Sequence, residues 1–555
     1  KPTPRRYDIV YGDVMLNFNY NIRRFDIAAT LGWTGRYENM NNMRVSTNGG
    51  LVTENWFDLN ASRYTASSIL QRMELLKTGY MGTLSLGWDN YLFLELTGRQ
   101  ERSSTLKDKS FFYPSANLSF LFSNAFRMPA WWNHGKLRLS YGIVGNAPET
   151  YAANIIYEQG SDNGFTWNYV PSSWGNANIR PEKKYEYEIG LESKFLNNRL
   201  GFDVSYYNNR VKDQILSTPQ PSSSGVKYVL MNVGEVANEG WDISVSATPV
   251  LTKNFRWDLT ANYGIYHNKV VKLAEGVPYL EISNIGGGGA KIQAVEGRPM
   301  GDIYVQMPQM NENGDYLVSD KGLYLNQTDL QRVGNINPDG VGGLFSSFSY
   351  KNIFLDFSID FRIGGDVINE MYQYSTASGL TPESLQYRDT EHGGLSYYYP
   401  GNNNASGTPV QVDPSSGAGP NGEIIYHDGI ILPGVVASTG EKNTRIIPAG
   451  YYYNQTYNWG TQSEQLTYRH SVFDNTYVKL RELTIGYQFP EKLTAKLGMT
   501  RLSVSIFGRN LFYFYKALKN YDAESSVGTS GESQAVVGGS TTATRNFGVS
   551  LRASF

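Results

Sequence analysis

Residues able to do chemistry are sparse in this 555-residue chain. It has no cysteine, which removes disulfides and thiolate metal sites. Its five histidines, His134, His267, His392, His427 and His470, show no H-E-x-x-H spacing, and no G-x-S-x-G turn presents a serine nucleophile. Glu186 and Glu188 come nearest to a reactive pair. Two apart on a strand, they share a face with Cα atoms roughly 7 Å from each other, and a glycosidase needs two carboxylates about a sugar bond. Lys184, Glu192 and Lys194 continue the same row, so it reads as a polar wall facing a lumen and bonded to water or a polar plug. Gly286-Gly287-Gly288-Gly289-Ala290-Lys291 has no Ser or Thr after its lysine and reads as flexible loop, not a phosphate cradle. Asn311-Glu312-Asn313-Gly314-Asp315 and Asn337-Pro338-Asp339-Gly340 lack the ligand spacing of a calcium loop and read as turns. No catalytic residue, metal or cofactor is assigned, and a non-enzyme is expected. With 49 basic against 51 acidic side chains, nucleic acid is not an expected partner.

The elements that carry these residues are strands. In the last eleven residues Phe547, Val549, Leu551, Ala553 and Phe555 occupy one face, and Asn546, Gly548, Ser550, Arg552 and Ser554 the other. That segment alone fits a sandwich edge strand as well as an outer-membrane barrel strand. Composition favours the barrel: 57 Gly, 41 Tyr and 18% charged residues, with no apolar run long enough for a helical span. A mean hydropathy of −0.40 is no objection, because only alternate residues of a barrel strand face lipid. The pattern recurs in a hairpin through Ile22-Arg23-Arg24, in another through Asp89-Asn90, and in Tyr185, Tyr187, Ile189, Leu191 and Phe195 alternating with the charged row. Further strands are expected near 115–122, 136–145, 200–206, 240–248, 255–268, 343–350, 353–363, 477–489, 500–512 and 543–555, fifteen in all.

Connections alternate between short ones (22–24, 89–90, 123–135, 196–198, 249–254, 351–352, 490–499) and long ones (37–78, 103–114, 146–183, 212–239, 269–342, 364–476, 513–542). Short periplasmic turns and long extracellular loops have this asymmetry. An odd number of strands cannot close an up-and-down antiparallel barrel. The expectation is therefore an all-β transmembrane barrel portion spanning 1–555, about 15 strands of roughly 22, with the first strands and a plug absent from this chain.

Several segments resemble the SusC-like (SusC/RagA) TonB-dependent outer-membrane transporters of Bacteroidetes. They are Lys136-Leu137-Arg138-Leu139-Ser140-Tyr141-Gly142-Ile143-Val144-Gly145-Asn146, Pro181-Glu182 through Glu188-Ile189-Gly190-Leu191, Asn232-Val233-Gly234-Glu235, Asn238-Glu239-Gly240-Trp241-Asp242, Gly334-Asn335 with Gly342-Gly343, Leu480-Arg481-Glu482-Leu483-Thr484-Ile485-Gly486-Tyr487, and Gly508-Arg509-Asn510-Leu511-Phe512. The resemblance implies a plugged barrel, a SusD-like surface lipoprotein as lid, and work supplied by TonB-ExbB-ExbD through an N-terminal part for which no residue here is a match. The acidic D-x-N-x-D-G loop common in the family is missing.

The long loops would then hold the capture chemistry. Trp56, Trp167, Trp174, Tyr397, Tyr398, Tyr399, Tyr451, Tyr452, Tyr453 and Trp459 fall in them and could stack on sugar rings or peptide side chains. Import of oligosaccharides is the leading expectation, with oligopeptides or a lidless siderophore or corrinoid receptor as alternatives. The terminal strand matches the family's assembly signal. Phe555→Ala is accordingly expected to slow barrel insertion, and normal outer-membrane levels of that variant would sink the idea.

Overall fold

The computed structural model describes residues 5–106, 110–162, 165–285, 289–458, 468–526, 535–539 and 543–555. Among these, fifteen strands follow one another in chain order through one antiparallel sheet. They are β1 (Arg5–Ile22), β2 (Phe25–Leu51), β3 (Ser62–Trp88), β4 (Leu92–Ser103), β5 (Ser110–Phe120), β6 (Trp132–Asn146), β7 (Glu182–Phe195), β8 (Leu200–Pro219), β9 (Tyr228–Leu251), β10 (Phe255–Lys272), β11 (Gly340–Tyr350), β12 (Ile353–Ile363), β13 (Tyr477–Gln488), β14 (Arg501–Lys516) and β15 (Asn546–Ser554). No helix among the described residues is long and apolar enough to cross a membrane, which has no bearing on strands that do.

Register keeps like with like. Leu191 faces Leu137 and Val204, and Ile189 faces Leu139 and Tyr206, while Glu188 faces Ser140 and Tyr207. A slip of one residue would swap both faces at once, so the alternation holds the pairing. The apolar rows lack protein cover: Phe547, Val549 and Leu551 are 70–73% exposed. A soluble sandwich would bury that face, and lipid is the solvent that suits it. Aromatic rings gather at the short-turn end of the first half. Trp131, Trp132 and Phe195 stack at 5.3–5.9 Å, and Phe195 meets Phe202 at 5.6 Å. This is the girdle position of an outer-membrane barrel.

The tight turns are set by residues that tolerate the left-handed region. Asp89 and Asn90 sit at φ 51° and 56°, and Asn197 and Asn198 at 58° and 63°. Several long connections are shorter than the alternation predicts. β2 and β3 pair from Phe25 and Trp88 out to Leu51 and Ser62, leaving only 52–61 where a loop over 37–78 was expected. β8 and β9 likewise reduce 212–239 to 220–227, and β4 and β5 reduce 103–114 to 104–109. Segments such as Met40-Asn41-Asn42-Met43 continue the ladder without an apolar face. Beyond the lipid band both faces meet polar surroundings, so alternation stops while hydrogen bonding goes on. The connections 147–181, 273–339, 364–476 and 517–545 remain long.

Candidate functional site

The charged row lies where its spacing puts it, on the polar face of β7. Lys184 Nζ pairs with Glu186 at 2.6 Å, Lys194 with Glu192 at 3.3 Å, and Arg138 reaches Glu192 at 3.7 Å and Asp203 at 2.6 Å. Asn209 donates to Glu186 at 3.2 Å. Lys184, Glu186 and Glu188 line a recess of about 520 Å³ with Asn209, Asn238 and Asp242. Glu186 is thus held by a cation and an amide in a partly exposed wall.

The recognised motifs turn out to be joints. Glu182 accepts from Asn146 at 3.2 Å and from the Ile215 amide at 2.8 Å, tying β6, β7 and β8. Asn232 bonds the Arg180 backbone in both directions. A bulge in β13 puts Lys479 and Glu482, three apart, opposite Asp360 and Ser358 on the adjoining strand, with Arg481 as the inserted residue. Arg481 then reaches Asp360 at 2.5 Å, Asn510 at 2.9 Å and Glu524 at 3.0 Å, and Lys479 joins Glu524. Asn510 takes φ 53°, which an asparagine tolerates. Glu482 accepts from Arg509 at 2.9 Å. Gly334 is needed for space: a Cβ there would lie 2.2 Å from Asp366 Oδ2, which accepts the Asn335 N–H at 2.9 Å. Burial raises the Asp366 pKa.

Three long connections of the second half share one core. Residues 279–285, 290–295, 302–305 and 331–335 make a four-stranded sheet. Asp366–Asn369 pairs antiparallel with Val472–Asp474, closing the neck of the 364–476 connection, and parallel with Val536–Val537 of the last one. Ile292, Ile303, Val305, Ile368, Tyr468 and Val536 bury against one another. Asp302, fully buried, is paired with Arg298 at 2.7 Å and Arg332 at 2.9 Å, so the charge is satisfied. Lys291 stands in a strand and pairs with Glu281 at 2.7 Å, whereas its glycine run was expected to be loose loop; Gly286–Gly288 lie outside the described residues. Asn311 Oδ1 caps the amides of Asn313 and Asp315, making the turn its sequence suggests.

The loop aromatics divide by burial. Tyr397 stacks on Tyr426 at 5.5 Å with Tyr399 edge-on to both. Tyr453 packs between Tyr452 and Tyr457 and donates to the Glu383 carbonyl at 2.9 Å. Tyr397, Tyr398 and Tyr453 are buried, so they build the connection's own interior. Burial pushes the Tyr452 and Tyr453 hydroxyls up to about 12 and that of Tyr397 higher. Trp56, Trp167 and Tyr451 are exposed, and Trp174 packs edge-on to Tyr157 at 5.7 Å. Trp459 lies outside the described residues. Sequence reasoning missed the hub at Arg481, because its partners come from three separate segments. Ser396 Oγ meets His427 Nδ1 at 2.8 Å, yet Ser396 is buried and offers no nucleophile to a ligand.

His470 couples the stability of this body to pH. Its ring stacks on Tyr457 at 5.9 Å and accepts from Arg469 at 3.0 Å. Burial, then the Arg469 charge, push its pKa down to about 4. The unfolded segment binds a proton below about 6.5 that the folded one refuses, so stability falls as pH drops from that value to about 4. The total is on the order of 3 kcal/mol. The protection factors of amides in the helix Ala449–Tyr457, which correct for the intrinsic pH dependence of exchange, should fall between pH 7 and 5, and less so in His470→Gln. An identical pH response in both would refute the assignment.

The TonB dependent receptor-like, beta-barrel family matches residues 2–295. TonB-dependent receptor P3 of Formosa agariphila is 23% identical over 81% of this chain and 42% of its own length. TonB-dependent receptor SusC of Bacteroides thetaiotaomicron is 27% identical over 40% of this chain and 24% of its own. The chain spans less than half the length of these relatives. The structure of the RagAB peptide transporter superposes with a TM-score of 0.70 at 17% identity, covering 100% of this chain and 57% of that one, which shows the shared fold. The chain belongs to the TonB-dependent receptor β-barrel family.

Proposed function

We propose that this chain supplies wall strands and outer connections of a TonB-dependent importer that carries oligosaccharides across the bacterial outer membrane. A SusD-like surface lipoprotein would act as lid, and TonB-ExbB-ExbD would supply work from the periplasm. The observation that carries this reading is the body formed by three long connections around one core. A packed body at one end of a lipid-facing wall offers a lid a firm docking area, which separate loops would have to order at an entropic cost. Exposed Trp56, Trp167 and Tyr451 add flat apolar faces suited to sugar rings. A small iron chelate needs neither.

Native mass spectrometry of the complex extracted from its own outer membrane tests the proposal. A stoichiometric lipoprotein with a retained ladder of hexose or pentose spacing is the expected result. Amino-acid spacing would move the assignment to oligopeptides, the cargo class named for the RagAB relative. A barrel alone, or one holding a single small chelate, would overturn it.

A further inference from the structure

The chain is nearly neutral as a whole, but its charge is sorted. The connections 279–339, 364–476 and 517–545 carry 22 Asp and Glu against 10 Lys and Arg, leaving 29 acidic and 39 basic residues for the rest. Within them the stretch 389–441 holds six carboxylates, Asp389, Glu391, Asp413, Glu423, Asp428 and Glu441, and not one Lys or Arg. Arg388 and Lys442 flank the stretch, and four basic side chains of the body are engaged internally. Lys291 pairs with Glu281, Arg298 and Arg332 with buried Asp302, and Arg388 donates to the Ser384 carbonyl at 2.7 Å.

Three carboxylates of this stretch, the exposed Asp413, the half-buried Asp428 and the buried Glu423, are held by neutral donors, which leave their charge uncancelled. Asp413 accepts from the Ser415 amide at 2.9 Å, Glu423 from the Asn421 amide at 2.9 Å, and Asp428 from the Tyr397 hydroxyl at 3.1 Å. Those hydrogen bonds keep the Asp413 and Glu423 carboxyls below their ordinary range. His392, bonded to Asp389, and His427, bonded to Ser396, are the basic side chains inside the stretch. The scaffold is itself packed, a small sheet of Leu395–Tyr398, Val410–Gln411, Tyr426–Ile430 and Ile447–Pro448. Fixed like charges on a low-dielectric body repel polyanions over about a Debye length, roughly 8 Å at physiological salt.

We infer that the stretch 389–441 is an anion-repelling surface at the capture end, so that among oligosaccharides the importer takes uncharged or amine-bearing chains and turns away uronate- and sulfate-rich ones. The inference rests on the import reading above and concerns which cargo that reading admits.

The absence of native cysteine in this chain makes a direct test simple. The full complex, labelled with a fluorophore at Ala418→Cys, an exposed position inside the stretch, is quenched with iodide and with neutral acrylamide. Relative to the free dye, iodide should quench about threefold less well than acrylamide at low salt, and the gap should close at high salt. Adding Glu391→Gln, Asp413→Asn and Glu441→Gln should remove most of it. Iodide quenching equal to or above that of acrylamide overturns the inference. Oligomers retained by the native complex give a second arm: neutral or amine-bearing chains support it and uronate or sulfated chains overturn it. If no oligomer is retained the import reading fails, while the quenching ratio still decides the surface charge.

Discussion

Arg481→Met should loosen the connection 517–545 from the wall and raise its rate of tryptic cleavage at exposed Lys519 by about thirtyfold. The guanidinium holds Glu524 of that connection, Asp360 of β12 and Asn510 of β14 in one hub. Its removal leaves two carboxylates facing Lys479 alone. A fully buried pair broken in this way costs about 3–5 kcal/mol. The Arg481 and Glu524 side chains are 30% and 26% exposed, so about 2 kcal/mol is the appropriate discount. Cleavage of a transiently opened segment follows its opening equilibrium, which converts that energy into the stated rate. Burial pushes the Glu524 carboxyl up, but hydrogen bonds from Arg481 and Lys479 outweigh it and hold the group below its ordinary value. The hub is therefore intact at neutral pH, and its contribution is lost only as pH falls through that depressed value. Arg481→Lys should restore little, because a single ammonium cannot fork to three partners. Cleavage at the wild-type rate in Arg481→Met would show that the last connection is held by its apolar contacts alone.

Ile303→Ala should unfold three connections together. Ile303 is fully buried among Ile292, Ile368, Tyr468 and Val536, side chains contributed by 279–339, 364–476 and 517–545. Cavity formation at such a site costs about 2–5 kcal/mol. If the body is one cooperative unit, amide exchange should rise in Ala290–Val295, Asp366–Asn369 and Val536–Val537 by a common factor, although only the first belongs to the mutated connection. Faster exchange confined to residues 279–339 would mean three separately stable loops. The pairing of Ile368 with Val536 gives a concrete reason to expect the common factor.

The alternation of Leu84, Leu86 and Trp88 with Leu92, Leu94 and Leu96 across Asp89-Asn90 was legible because a lipid-facing strand must be apolar at every second residue and its turn must enter the left-handed region. The row Lys184, Glu186, Glu188 was legible for the same reason. Outside the lipid band that constraint lapses. The ribbon from Met40 to Leu51 therefore reads as loop although it is paired throughout, since backbone hydrogen bonds leave no mark on side-chain type. The loop aromatics could be found by type, but their burial could not: Tyr397 and Tyr451 look alike in sequence, and one is interior while the other is exposed.

By itself, then, the sequence determined the alternating segments of the strands, the face each residue takes and the sorting of charge into the long connections, all of which follow from local periodicity or simple counting. Only the tertiary structure decided that Arg481 would meet Glu524 and that Ile303 would meet Ile368 and Val536. Those contacts join residues far apart in the chain, and their partners are selected by shape and charge in three dimensions, where no repeat distance along the sequence can record them.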